Sequence, residues 1–63
     1  MRPMRYHAMM LDSEGTIRGI RSLSHEDDLA AINAARDVLE QSQSFEAIEI
    51  WREGRRIARI SSR

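Results

Sequence analysis

The side chains that could perform chemistry are few in this sequence, and they are scattered. His7 and His25 are the only histidines, and there is no cysteine. Two histidines without a shared helical spacing make a poor zinc site, and no thiolate site or disulfide can form without cysteine. The acidic run that follows His25 is better explained as the start of a helix, where the dipole favours negative charge. We therefore predict no catalytic residue, no cofactor and no metal site.

Arginine next to an aromatic ring is the strongest binding signal in the chain. All ten basic residues are arginine, and the residues at issue follow Trp51 closely: Arg52, Arg55, Arg56, Arg59 and Arg63. Arginines can track phosphates while an aromatic ring stacks on bases, as in small sheets that hold single-stranded nucleic acid. However, the net charge is zero, and Glu46 and Glu49 offer salt-bridge partners. Structural or interface roles are therefore favoured, and nucleic-acid contact is the alternative.

One amphipathic helix is predicted from residue 24 to about residue 41. Ser24 is the expected N-cap, and the acids of the first turn suit the positive end of the helix dipole. At 100° per residue, one side of the helix collects small and aliphatic residues, namely Ala31, Ile32, Ala35, Val38 and Leu39. This side is expected to pack on a sheet.

Two Glu-Gly turn signals flank that helix, and each lies between two strand-like segments. The predicted hairpin strands are 4–11 and 16–23 before the helix, and 45–51 and 55–61 after it. Gly15 and Gly54 are each expected to supply the left-handed residue of a three-residue loop. The sequence therefore predicts an α+β fold of order ββαββ, with one helix on a four-stranded, mainly antiparallel sheet. The strand order stays open.

Alternation along these strands predicts a second apolar face. With three-residue loops, Ile48, Ile50, Ala58 and Ile60 point one way, towards the helix. Trp51 and Ile57 point the other way, with Phe45 at the margin. In the first hairpin, one face is predicted to carry Tyr6, Ala8, Met10 and Ile20. The opposite face is predicted to carry Met9, Leu11 and Ile17.

A monomer would expose this second apolar face to water, and contiguous apolar patches usually mark interfaces. We predict a homodimer in which the helix-free faces or the sheet edges meet. The predicted interface residues are Phe45, Trp51, Ile57, Met9, Leu11 and Ile17. The predicted function is that of a non-enzymatic, homodimeric protein–protein interaction or regulatory module.

The length of 63 residues agrees with this prediction. A single domain of this size buries only about 60% of the surface of its unfolded chain, and small cores without disulfides commonly rely on a partner. No stretch resembles a signal peptide or a membrane span, so a cytoplasmic location is expected.

The sequence also resembles a group of small uncharacterised proteobacterial proteins. Their pattern is a Tyr-led strand ending in Leu-Asp-x-x-Gly, an Ala-rich helix, and a closing Ile-Glu-Leu-Trp segment followed by Arg-x-Ile/Val-Ala. Here the corresponding segments run from Tyr6 to Gly15, from Ala30 to Arg36 and from Ile48 to Ala58. The resemblance implies the ββαββ order and a bacterial cytoplasmic source, and it implies no catalytic activity.

Overall fold

The computed structural model describes residues 3–42 and 44–61. Its elements are β1 (Met4–Leu11), β2 (Ile17–His25), α1 (Asp28–Gln41), β3 (Ala47–Arg52) and β4 (Arg55–Ser61). The predicted ββαββ order and α+β class are confirmed. The strands form one antiparallel sheet of order β2-β1-β3-β4, so the helix carries the chain from one edge strand to a position beside the central β1.

The first hairpin turns through the predicted three-residue loop. The Asp12 N–H donates to the carbonyl of Thr16 (3.0 Å), and Gly15 adopts a left-handed conformation at φ 81°. The Asp12 carboxylate stabilises the turn by accepting from the N–H groups of Glu14 (2.9 Å) and Thr16 (3.0 Å). These backbone donors, the Thr16 bond foremost, hold the pKa of Asp12 below its ordinary value.

The second hairpin has a different turn from the one predicted. Arg52 lies directly opposite Arg55, so the loop contains only Glu53 and Gly54. Both have positive φ, 53° and 76°, as a type I′ turn requires. The prediction of a three-residue loop here was wrong. A type I′ turn of two residues matches the twist of the strands, and the extra residue that the prediction assigned to the loop lies within β4 instead.

The extra residue forms a β-bulge, and each hairpin has one such bulge. In the second hairpin the register passes from Trp51 opposite Arg56 to Ile50 opposite Ala58, which leaves Ile57 as the extra residue. A bulge of one residue reverses the alternation of side chains beyond it. Ile48, Ile50, Ala58 and Ile60 therefore still face the helix as predicted, despite the shorter loop.

The bulge of the first hairpin leaves Arg18 as the extra residue. It puts Ile20 opposite Met9, on the helix-free face, whereas the prediction placed Ile20 with Tyr6. In the second hairpin Ile57 packs against the helix-side core, whereas the prediction placed it with Trp51. Both predictions were wrong for one reason: they assumed strict alternation through positions where the strand is bulged.

The helix begins later than predicted. Asp27 is the N-cap, and its side chain accepts from the N–H of Ala30 (2.8 Å). Ser24 is still in β2, since that strand pairs with β1 as far as Met4 opposite His25. Strand pairing therefore overrides the Ser24 capping signal. The helix ends at Gln41 as predicted, with the Ser42 N–H bonded to the carbonyl of Leu39 (3.2 Å).

The core lies between α1 and one face of the sheet. Small residues of the helix approach large ones of the central strands, and the fully or nearly buried set comprises Tyr6, Ala8, Met10, Ala31, Ala35, Leu39, Ile48 and Ile50. Because Ala31 and Ala35 are short, the helix backbone comes close to the sheet. Within the described residues α1 is the only element packed on the sheet, which leaves the opposite face without a covering layer.

Candidate interface on the helix-free face of the sheet

The register defines the helix-free face as three rows that run across all four strands in the order β2, β1, β3, β4. The rows are Ser22–His7–Trp51–Arg56, Ile20–Met9–Glu49–Arg59 and Ile17–Leu11–Ala47–Ser61. Arg5 and Ser24 extend the face beyond the first row. Residues directly opposite each other in a sheet point to the same side, so these side chains share one surface.

One half of this surface is apolar, and we call it the apolar half: Ile17, Ile20, Met9, Leu11 and Ala47. Leu11 and Ala47 are buried, and Met9 is half-buried. Ile17 and Ile20 are 50% and 61% exposed, although both are large aliphatic side chains. Two such residues on one strand, next to half-buried Met9, form a contiguous apolar patch.

The other half is polar and aromatic, and we call it the arginine half: Arg5, His7, Glu49, Trp51, Arg56 and Arg59. Glu49 is its centre, with only 13% of its side chain exposed. One carboxylate oxygen accepts from the Trp51 indole N–H (3.2 Å), and the other accepts from Arg56 (3.2 Å) and Arg59 (3.0 Å). A single carboxylate therefore orients one aromatic ring and two guanidinium groups.

Electrostatics keeps Glu49 ionised. Burial acts to raise its pKa, but the Trp51 hydrogen bond, the positive charge of Arg56 and the hydrogen bonds from Arg56 and Arg59 outweigh burial, so the pKa lies below its ordinary value. The carboxylate is consequently charged at neutral pH. It neutralises only one of the two arginines that it holds.

The predicted cluster of C-terminal arginines is divided between the two faces of the sheet. Arg56 and Arg59 lie on the helix-free face. Arg52 and Arg55 lie opposite each other on the helix side, where Arg52 pairs with Asp28 (3.4 Å). Arg63 lies outside the described residues. The two-residue turn and the bulge cause this division, because together they determine which arginine side chains lie on the same face as Trp51.

On the helix side, Tyr6 connects the sheet to the start of the helix. Its buried hydroxyl donates to Asp28 Oδ1 (2.6 Å), and the Arg52 guanidinium carbon lies 5.9 Å from its ring centre. Burial and the Asp28 hydrogen bond raise the pKa of Tyr6 above its ordinary value. His25 stands nearby, with its ring centre 6.4 Å from that of Tyr6. Every group in this cluster has a structural partner, and the cluster fastens the first turn of α1.

The predicted interface residues are also divided. Met9, Leu11, Ile17 and Trp51 lie on the helix-free face. Phe45 and Ile57 are partly buried against the helix-side core, so their apolar surface is largely used within the molecule. Sequence reasoning missed Ile20, Arg5 and His7 as members of the helix-free face. Arg5 and His7 alternate with Tyr6 on β1, and that pattern could have identified them.

Neither a metal centre nor a membrane span was found in the part of the chain that the structure describes. No three His, Cys, Asp or Glu side chains there are grouped so that they could hold a metal ion. No helix among those residues is long and apolar enough to cross a membrane. No protein-family model matches the sequence, and no curated protein or solved structure matches it.

Proposed function

We propose that this chain is a non-enzymatic protein–protein interaction module that pairs with a second copy of itself through the helix-free face. One observation carries the proposal: Ile17 and Ile20 are largely exposed beside Met9, on the side of the sheet opposite the helix. Burying such side chains gains about 25 cal/mol for each Å² removed from water. A second copy offers the same patch, which is self-complementary in a twofold dimer.

The size of the surface supports a reversible dimer. A compact monomer of 7.3 kDa exposes about 4,200 Å², whereas this chain exposes 4738 Å². Four strands of about six residues give a face of roughly 400 Å² before the relief of side chains is counted. Stable complexes bury about 800 Å² per partner. The contact must therefore use most of the helix-free face, and we expect its affinity to be low for a protein–protein complex.

Charge disfavours pairing of edges. The edge strands are β2, which carries Arg18 and Arg21, and β4, which carries Arg55, Arg56 and Arg59. Neither strand contains an acidic residue. Any edge-to-edge pairing of two copies would bring arginines together, and charged edges are a common device against such pairing.

The test is the solution mass by light scattering and sedimentation over a wide range of protein concentration. We expect a dimer that dissociates on dilution, and a dissociation constant raised about tenfold or more by Ile20→Ser, since the substitution enters the interface twice. Leu29→Ser is the matched control, because Leu29 is 66% exposed on the helix, away from the helix-free face. Trp51→Ala should weaken the dimer while the helical circular dichroism signal is retained.

A protein that stays monomeric at millimolar concentration would overturn the proposal. So would a dimer that Leu29→Ser dissociates and Ile20→Ser leaves intact, since that result would place the contact on the helix.

A further inference from the structure

We propose that the arginine half of the helix-free face binds single-stranded nucleic acid. The juxtaposition that carries this inference is Trp51 flanked on the open sheet by Arg56 and Arg59. The binding surface is one face of the sheet and not the arginine-rich hairpin as a whole.

The cations of this surface are both oriented and accessible. Arg56 and Arg59 are 52% and 51% exposed although each donates to Glu49. A guanidinium has five N–H donors, and Glu49 occupies one nitrogen of each arginine. The remaining donors are free to meet phosphate oxygens. Exposed Arg5 adds a third positive charge on the same face.

The Trp51 ring of this surface has a fixed orientation. The Trp51 indole N–H is bound to Glu49, so the orientation of the ring is set before any ligand arrives. Exposed His7 lies directly opposite Trp51 on the neighbouring strand. Two adjacent rings on an open sheet, with arginines at the side, provide stacking for bases and contacts for phosphates.

Single-stranded nucleic acid fits this arrangement better than an acidic polypeptide does. Acidic side chains would contact only the cations and would leave the Trp51 ring unused in the complex. A duplex would present phosphates but keep its bases stacked inside. Unpaired bases with a phosphate backbone use both the ring and the arginines.

This site is part of the helix-free face, most of which the proposed dimer contact must use. If the dimer forms as proposed, a second copy and a nucleic-acid strand compete for the same face, a consequence that rests on the proposed function. Binding itself does not depend on the dimer, because Arg5, His7, Arg56 and Arg59 are exposed in the monomer.

The experiment is fluorescence anisotropy of labelled single-stranded oligonucleotides, DNA and RNA of about ten nucleotides, with the protein mass measured under the same conditions. Three phosphate contacts predict that the logarithm of the binding constant falls with the logarithm of salt concentration with a slope of about −2. Arg56→Gln should flatten the slope by about 0.7. Arg55→Gln should not, because Arg55 is the adjacent residue but lies on the helix side.

Two more variants separate this site from a simple positive patch. Trp51→Leu should weaken binding at least fivefold, and Trp51→Phe should restore part of the loss, because stacking contributes about 1–3 kcal/mol per base. Glu49→Gln should tighten binding several-fold at low salt, since it removes the competing carboxylate. Circular dichroism of each variant shows whether the fold is kept.

Failure of a monomeric, folded sample to bind either oligonucleotide at low salt overturns the inference. Equal weakening by Arg55→Gln and Arg56→Gln, or binding of polyglutamate as tight as that of the oligonucleotide and unaffected by Trp51→Leu, also overturns it. Failure of the homodimer appears separately, in the measured mass.

Discussion

Glu53 is the one residue other than glycine with positive φ in the described chain, and its replacement should stabilise the fold. Its φ of 53° places it in the left-handed region. That conformation costs a residue with a Cβ about 1–2 kcal/mol, whereas Asn is tolerated there and Asn-Gly is the preferred pair for a type I′ turn. We therefore expect Glu53→Asn to raise the free energy of unfolding by about 1 kcal/mol.

The assay is urea unfolding followed by the fluorescence of Trp51 and by circular dichroism, at one fixed protein concentration because self-association would add to the stability. For a domain of this size, 1 kcal/mol corresponds to about 4–8 °C in the midpoint of thermal unfolding. Glu53→Gly should raise the midpoint less than Glu53→Asn does, because glycine also increases the conformational entropy of the unfolded chain.

Two control variants separate backbone strain from charge. Glu53→Gln removes the same charge but keeps a side chain that is strained at positive φ, so it should not stabilise. Glu14→Asn makes the same exchange in the other hairpin loop, where the left-handed position is taken by Gly15. If Glu53→Asn, Glu53→Gln and Glu14→Asn change the free energy of unfolding equally, backbone strain at Glu53 is not the cause and the reasoning fails.

Three further substitutions probe the contacts that position α1 and the first turn. Tyr6→Phe should lower the midpoint of thermal unfolding by several degrees, because the Tyr6 hydroxyl donates to Asp28. The pKa of Tyr6 is raised in the folded state, so the stability that the hydroxyl adds is present below pH 10 and is lost as the pH rises through the folded-state pKa. A pH series of melting curves for both proteins would show this loss. Asp27→Ala should cost about 1 kcal/mol in chemical denaturation through loss of the N-cap, and Asp37→Ala, on the exposed middle of the helix, should cost much less. Asp12→Asn should be less stable than the parent at neutral pH, and the difference should shrink as the pH falls through the depressed pKa of Asp12, below 3.8; a constant difference down to pH 2 would contradict the role given to the carboxylate.

The sequence alone determined the order and type of the elements. Apolar alternation placed β1 at its observed bounds, and β-branched isoleucines together with alternation placed β4. The falling helix propensity after Gln41 placed the end of α1. These signals are local, since they depend on residues within a few positions of each other. The apolar sets that face the helix on β1 and β3, such as Tyr6 and Ile50, followed from the same alternation.

Only the tertiary structure decided how the elements are registered. The strand order follows from which edges pair, and the later start of α1 follows from the pairing of Met4 with His25. The bulges at Arg18 and Ile57 moved Ile20 to the helix-free face and Ile57 to the core. A bulge inserts a single residue and reverses the alternation of side chains beyond it, and the alternation of apolar and polar residues along a strand does not mark its position. The composition of the helix-free face was therefore beyond the reach of local patterns.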